Sequence, residues 1–229
     1  MTDSPAQRYA AAKSRSKDSQ GLLGSFQDSL SFVLDDFQLQ ACRAIDSGSG
    51  VLVAAPTSAG KTVGGQFAVY TALSKQSRCF YTTPIKALSN QKFNEFVEFY
   101  GSENVGLLTG DSSINGDAPI VVMTTEILRN LLYKDKNLDG LNITPLINFD
   151  DVGVIIMDEV HYINDQDRGT VWEECFMLMP PNIQLLMLSA TIDKPEKFAN
   201  WIENIHESST KQVYLSTTNI RFVPLEHYL

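Results

Sequence analysis

Eight consecutive residues carry the first chemical signal. Ala55-Pro56-Thr57-Ser58-Ala59-Gly60-Lys61-Thr62 matches the phosphate-loop pattern, with Ala55 where the first glycine usually stands. Alanine serves at that point if its φ is negative and is strained if it is positive. In such a loop the backbone N–H groups of residues 58–61 wrap a β-phosphate at a helix N-terminus, where the helix dipole favours anions. Lys61 would reach the β- and γ-phosphates, and the Thr62 hydroxyl would meet Mg²⁺. An ordinary strand–turn–helix corner is the plain alternative. The second signal is Asp158-Glu159-Val160-His161, directly after the apolar run Val154-Ile155-Ile156-Met157. Two carboxylates at the end of a buried strand sit where α/β sheets bind ligands. Asp158 could hold Mg²⁺, usually through water. Glu159 could orient an attacking water or take its proton. A solvated acidic loop explains this pair equally well alone; beside a phosphate loop, nucleotide hydrolysis is the better account.

Such groups need a scaffold that presents strand ends to one side. The chain alternates strand-like and helix-like segments: strands at 50–55, 79–82, 105–108, 120–123, 152–157, 183–188 and 213–215, helices at 61–75, 86–100, 126–133, 171–179 and 195–205. The run at 152–157 is almost wholly apolar, as expected for a strand covered on both faces. This alternation predicts an α/β fold with a mostly parallel sheet and helices on both faces. Residues 134–150 read as a polar surface connection. Residues 1–20 read as a tail with too few apolar residues to pack. The domain proper is assigned to 21–216, and 217–229 to a connector.

The 229 residues include 18 Lys+Arg and 27 Asp+Glu, a formal charge of −9. Taken alone, that acidity argues against nucleic acid. It is an average. Residues 47–94 contain no acidic residue but hold Lys61, Lys75, Arg78, Lys86 and Lys92, whereas 135–174 hold ten acidic residues and two basic ones. No apolar run approaches the roughly 20 residues of a membrane span, and no secretory leader is visible. Cys42, Cys79 and Cys175 form no CxxC pattern, which argues against a structural metal and for a cytoplasmic setting.

The motifs together resemble a known family. The phosphate loop, Asp158-Glu159-Val160-His161 and Ser189-Ala190-Thr191 look like motifs I, II and III of superfamily-two helicases of the DExH type. Phe32-Val33-Leu34-Asp35-Asp36-Phe37-Gln38, the segment Thr83-Pro84-Ile85-Lys86-Ala87-Leu88-Ser89-Asn90-Gln91-Lys92, Leu108-Thr109-Gly110-Asp111, Met123-Thr124-Thr125-Glu126-Ile127-Leu128-Arg129-Asn130 and Arg168-Gly169-Thr170-Val171-Trp172-Glu173-Glu174 are similar to the superkiller (Ski-like) RNA helicases. The resemblance implies a RecA-like P-loop NTPase domain, ATP and Mg²⁺ as cofactors and a role for each matching residue. Phe32 would stack on adenine and Gln38 would bond its edge. Thr57, Ser58, Ala59, Gly60, Lys61 and Thr62 would bind phosphate. Lys61, Asp158 and Glu159 would be catalytic, with Thr62 and Asp158 at the metal. Pro84, Ile85, Lys86, Thr109, Gly110, Thr124, Thr125 and Arg129 would line a single-stranded nucleic acid, RNA before DNA. His161, Ser189 and Thr191 would couple the two sites. Plainer readings stand beside these: core packing for Phe32 and Phe37, solvated helix faces for Lys86 and Arg129, polar strand ends for Ser189 and Thr191. Trp172 reads as core.

The family pairs two RecA-like domains, the second supplying arginines worth about 10³ to 10⁵ in rate. The segment Arg221-Phe222-Val223-Pro224 to Leu229 resembles the connector into it, so this chain is expected to be the first half and to turn over ATP poorly alone. The alternatives are a DNA-unwinding relative, a non-hydrolysing binding module and, less in keeping with the Pro84 and Thr124 segments, an ATPase acting on proteins.

Overall fold

A computed structural model describes residues 21–57, 59–136, 147–190, 192–205 and 212–218. The predicted tail, much of the 134–150 connection, Ser58, Thr191 and the connector beyond Thr218 lie outside the described residues.

One eight-stranded sheet organises the chain, in the order β4-β3-β5-β2-β6-β7-β1-β8. Its strands are β1 (Gly50–Ala54), β2 (Arg78–Thr83), β3 (Val105–Leu108), β4 (Ser113–Ile114), β5 (Ile120–Thr124), β6 (Val152–Met157), β7 (Gln184–Ser189) and β8 (Val213–Thr217). All neighbours pair in parallel except β3 and β4. The helices are α1 (Leu22–Ser29), α2 (Asp36–Asp46), α3 (Thr62–Ser74), α4 (Lys86–Tyr100), α5 (Thr125–Asp135), α6 (Gly169–Leu178) and α7 (Pro195–Ile205), with a 3-10 turn at Val160–Asn164.

Side-chain alternation along the strands divides the core into two layers. Val51, Val53, Cys79, Tyr81, Val154 and Ile156 pack with α1 to α4 on one face. Leu52, Phe80, Ile155 and Met157 pack with α5 to α7 on the other, around the buried Trp172. This is why the strands read as continuous apolar runs and why the helices divide between the faces. Phe37 is a core residue, as read from the sequence.

The helix ends follow from local sequence. Asp35 caps α2 in a capping box: the Gln38 side chain accepts the Asp35 N–H at 2.9 Å. Gly101 closes α4 with φ of 84°. Pro195 opens α7, where its missing N–H is harmless. The sequence reading passed over α1, α2 and the two-residue β4. For α2 the sequence signal is the Asp35–Gln38 capping box, which the family resemblance reads as a ligand contact. Elsewhere the elements differ by one or two residues at their ends; β8 runs on to Thr217, past the assigned boundary at 216.

Candidate nucleotide and strand-binding edge

Parallel pairing carries every motif to the same side of the sheet. Ala55 follows β1, Thr83 closes β2, Thr109 follows β3, Thr125 follows β5, Asp158 follows β6 and Ser189 closes β7. Cross-strand contacts fix their relative heights: the Ala55 N–H donates to the Ser189 carbonyl at 3.2 Å and the Asp158 N–H to the Thr82 carbonyl at 2.9 Å.

One cavity of about 370 Å³ opens along the β2–β6–β7–β1 stretch of this edge, walled by Thr57, Gly60, Lys61 and Thr62 of the loop, by Asp158 and Glu159 after β6, and by Thr83, Gln91 and Lys92 from β2 and α4. Non-glycine residues with positive φ among those described are Gln76, Asn115, Glu159 and Lys194. Ala55 is therefore in ordinary backbone, and the sequence departure at that position carries no strain. Gly60 has φ of 83°, and a Cβ there would collide with the Gln38 amide. The positive φ calls for glycine, and a larger residue would also displace the Gln38 amide. Lys61 is folded back on its own loop, its Nζ donating to the Ala55 and Pro56 carbonyls at 2.9 and 3.1 Å. Burial lowers its pKa, while Glu159 and Asp158 pull it back up.

Glu159 occupies the left-handed region, with φ of 58°, which turns the chain sharply after β6. Burial and the neighbouring Asp158 raise its pKa, against His161 and Lys61, which lower it. A carboxylate tuned upward is a better proton acceptor near neutral pH. His161 Nδ1 lies 3.3 Å from Glu159 Oε2 but is not aligned to donate a hydrogen bond to it. Asp158 accepts the Glu159 N–H on Oδ1 at 2.9 Å and the Tyr81 hydroxyl on Oδ2 at 2.6 Å. Thr62 and Asp158 thus bring a hydroxyl and a carboxylate to the same cavity, hard oxygen donors of the kind Mg²⁺ takes. The donor set fits that ion.

Gln38 is buried and occupied at both ends of its amide, since Nε2 also donates to the Gly60 carbonyl at 3.1 Å. Here it ties the start of α2 to the phosphate loop. Phe32 is half exposed and lines an adjoining cavity with Phe26, Tyr70 and Phe99, which meets the phosphate cavity at Thr62. Ser189 Oγ and Thr82 Oγ1 are buried without a hydrogen-bond partner among the described residues.

The β3–β5–β2 end is arranged differently. Pro84 is buried and Ile85 partly so, while Lys86 at the start of α4 is exposed. All three carbonyls of this turn are held. Thr125 Oγ1 donates to Thr83 O at 3.2 Å, Arg168 Nη1 to Pro84 O at 3.1 Å and Thr83 Oγ1 to Ile85 O at 3.0 Å. Lys86 pairs with Asp111, which also accepts the Thr109 hydroxyl at 3.0 Å. Gly110 is exposed between them, and Thr124 and Thr125 are buried at the N-terminus of α5. Arg129 Nη1 sits 3.6 Å from Glu174 Oε2, and its Nη2 donates to Asn130 at 3.0 Å. Sequence reasoning missed Arg168 and Tyr81 as parts of these sites. Tyr81 lies outside every motif quoted from the sequence, and Arg168 opens the 168–174 run without a role of its own there; each acts through another residue.

Among the described residues no helix is long and apolar enough to cross a membrane, and no three His, Cys, Asp or Glu form a metal cluster.

Comparison with known proteins gives this edge a lineage. The chain is 50% identical over 189 residues to the "Probable helicase HelY" of Mycobacterium leprae, covering 82% of this chain and 19% of the relative. It is 46% identical over 195 residues to the "Antiviral helicase SKI2" of Saccharomyces cerevisiae, covering 85% and 14%. It is 43% identical over 198 residues to the human "Exosome RNA helicase MTR4", covering 86% and 18%. The chain thus spans a fifth or less of these relatives' lengths. In fold it is similar to the helicase domain of Pyrococcus furiosus Hef, with a TM-score of 0.56 at 20% identity over 80% of this chain and 38% of that one. Residues 35–198 match the DEAD/DEAH box helicase description, so phosphate loop, acidic strand end and polar strand edge all fall within one matched span, and the chain belongs to the DEAD/DEAH box helicases, in their Ski-like DExH branch.

Proposed function

We propose that this chain is the first RecA-like, ATP-binding half of an ATP-dependent RNA helicase, which hydrolyses ATP with Mg²⁺ and moves along a single strand. The observation that carries the reading is the shared cavity: phosphate loop, Thr62, Asp158 and Glu159 line it together, one strand away from the Pro84 turn.

The residues divide the work. Lys61 exchanges two carbonyl acceptors for phosphate oxygens, and the loop amides meet the phosphate at the start of α3. Thr62 and Asp158 would hold Mg²⁺, which when bound neutralises charge on the β- and γ-oxygens. Glu159 orients the attacking water and takes its proton. Phe32 receives adenine in the adjoining cavity, with Gln38 holding the loop beside it. Lys86, Thr109, Gly110, Arg129 and the helix N-termini after Ile85 and Thr124 meet sugar and phosphate without reading sequence. His161, Ser189 and Thr191 connect the two halves, and the orphaned Ser189 hydroxyl supports that role. A second RecA-like domain in the same polypeptide completes the site. Three free, buried cysteines agree with a cytoplasmic protein.

The test is RNA-stimulated ATP hydrolysis and strand displacement by the intact protein, with RNA and DNA strands of equal length in competition. Stimulation by RNA that Lys61→Ala abolishes is the expected result. Preference for DNA would move the protein to a repair-type helicase, and nucleotide binding without turnover would make it a binding module.

A further inference from the structure

Tyr81 lies on β2, directly beside β6, with its ring in the core and its hydroxyl on Asp158 Oδ2 at 2.6 Å. Three contacts hold Asp158: its own N–H on Thr82 O, the Glu159 N–H on Oδ1 and the phenol on Oδ2. Each carboxylate oxygen has room for about two hydrogen-bond partners. One position on each is filled from within the protein, and Asp158 lines the cavity. The ring is held in turn. Phe96 meets it edge-on at 5.3 Å, and the Lys92 ammonium stands 5.6 Å from its centroid while pairing with Glu95 at 2.5 Å. A cation on the ring face attracts the ring and helps to hold it in place.

We propose that Tyr81 is a positioning residue for magnesium: its hydroxyl sets the rotation of the Asp158 carboxylate, so that the hydrated ion meets one orientation. The proposal rests on the nucleotide reading above. Groups that orient metal-holding side chains are worth about 10- to 100-fold in metal affinity. A contact that acts through coordinated water belongs at the lower end of that range.

The experiment titrates Mg²⁺ into the intact protein in the presence of a fluorescent ADP analogue, with Mn²⁺ paramagnetic resonance as a direct readout of the metal. Tyr81→Phe removes the hydroxyl and keeps the ring. Its Mg²⁺ midpoint should rise about tenfold, while nucleotide affinity in EDTA stays within about twofold of wild type. An unchanged midpoint, or equal weakening with and without Mg²⁺, overturns the proposal, because a merely structural hydroxyl behaves in one of those ways. Should Tyr81→Phe fail to fold, 3-fluorotyrosine at position 81 keeps ring and hydroxyl and changes the strength of the phenol as a donor. A shifted Mg²⁺ midpoint with unchanged nucleotide affinity in EDTA is then expected, and a midpoint equal to wild type overturns the proposal. Lys61→Ala separates the two levels. Wild type that binds no nucleotide, or Lys61→Ala that binds as well as wild type, removes the nucleotide reading itself and this proposal with it.

Discussion

The β6–β7–β1 half of the sheet edge and the β3–β5–β2 half use their polar groups in opposite ways. In the first, Lys61, Thr62, Asp158 and Glu159 line one cavity, and two of them carry pKa values moved by burial. In the second, polar groups face one another: Thr125 on Thr83, Arg168 on Pro84, Lys86 on Asp111, Arg129 on Glu174 and Asn130. A compact, highly charged ligand needs charge concentrated at a point. A long strand needs a spaced ledge whose shape is kept by internal bonds, with backbone amides left to do the contacting.

If that contrast is sound, substitutions should separate the two halves. The largest expected effect is Lys61→Ala, which should lower kcat for ATP by about 10²-fold or more and leave RNA affinity without nucleotide within about twofold. A matching loss of RNA affinity would show that the halves are not independent. Next is Arg168→Ala, which frees the Pro84 carbonyl. Losing one such hydrogen bond is worth about 1 kcal/mol, so RNA affinity should fall about fivefold with nucleotide affinity unchanged, as read by fluorescence anisotropy. Lys86→Ala should weaken RNA binding less, because its pairing with Asp111 already offsets its charge. The slope of log affinity against log salt should flatten by about 0.7 for one lost phosphate contact; an unchanged slope would remove Lys86 from the strand surface.

The smallest effect concerns Glu159 alone. Its folded pKa is raised, so the native state holds this proton more tightly than the unfolded chain does. The resulting stability is fully present below the unfolded carboxylate range and is lost as pH rises through the folded value. Glu159→Gln should therefore raise the melting temperature slightly at neutral pH, and the gap should close as pH falls into the ordinary carboxylate range. A gap that widens in acid would reverse the sign of the electrostatic argument.

How much of this was legible follows the same contrast. The phosphate loop is one contiguous run in which each residue type has its own reason, and Asp158-Glu159 directly follows its strand, so both could be read without coordinates. The two-faced sheet was legible because alternate residues of β1, β2 and β6 are apolar on both sides. The interior of the strand ledge was not. Thr125 and Arg168 act through carbonyls 42 and 84 residues away in sequence, and no local pattern announces such a pairing. Tyr81 was hidden for a related reason: an aromatic residue in a buried strand reads as core, and its hydroxyl's partner is 77 residues away. Gln38 was read as a contact to adenine, and its contacts here are with the protein itself.

Those contacts have a mechanical side. Phe37 and Gln38 are neighbours in the first turn of α2. Gln38 grips the Gly60 carbonyl, and the Phe37 carbonyl receives the Ser216 hydroxyl from β8 at 2.7 Å. A hydrogen bond tolerates displacement of about half an ångström before it weakens. The phosphate loop and the outermost strand of the sheet are therefore pinned to adjacent points on one stiff rod, and neither can shift far without carrying the other.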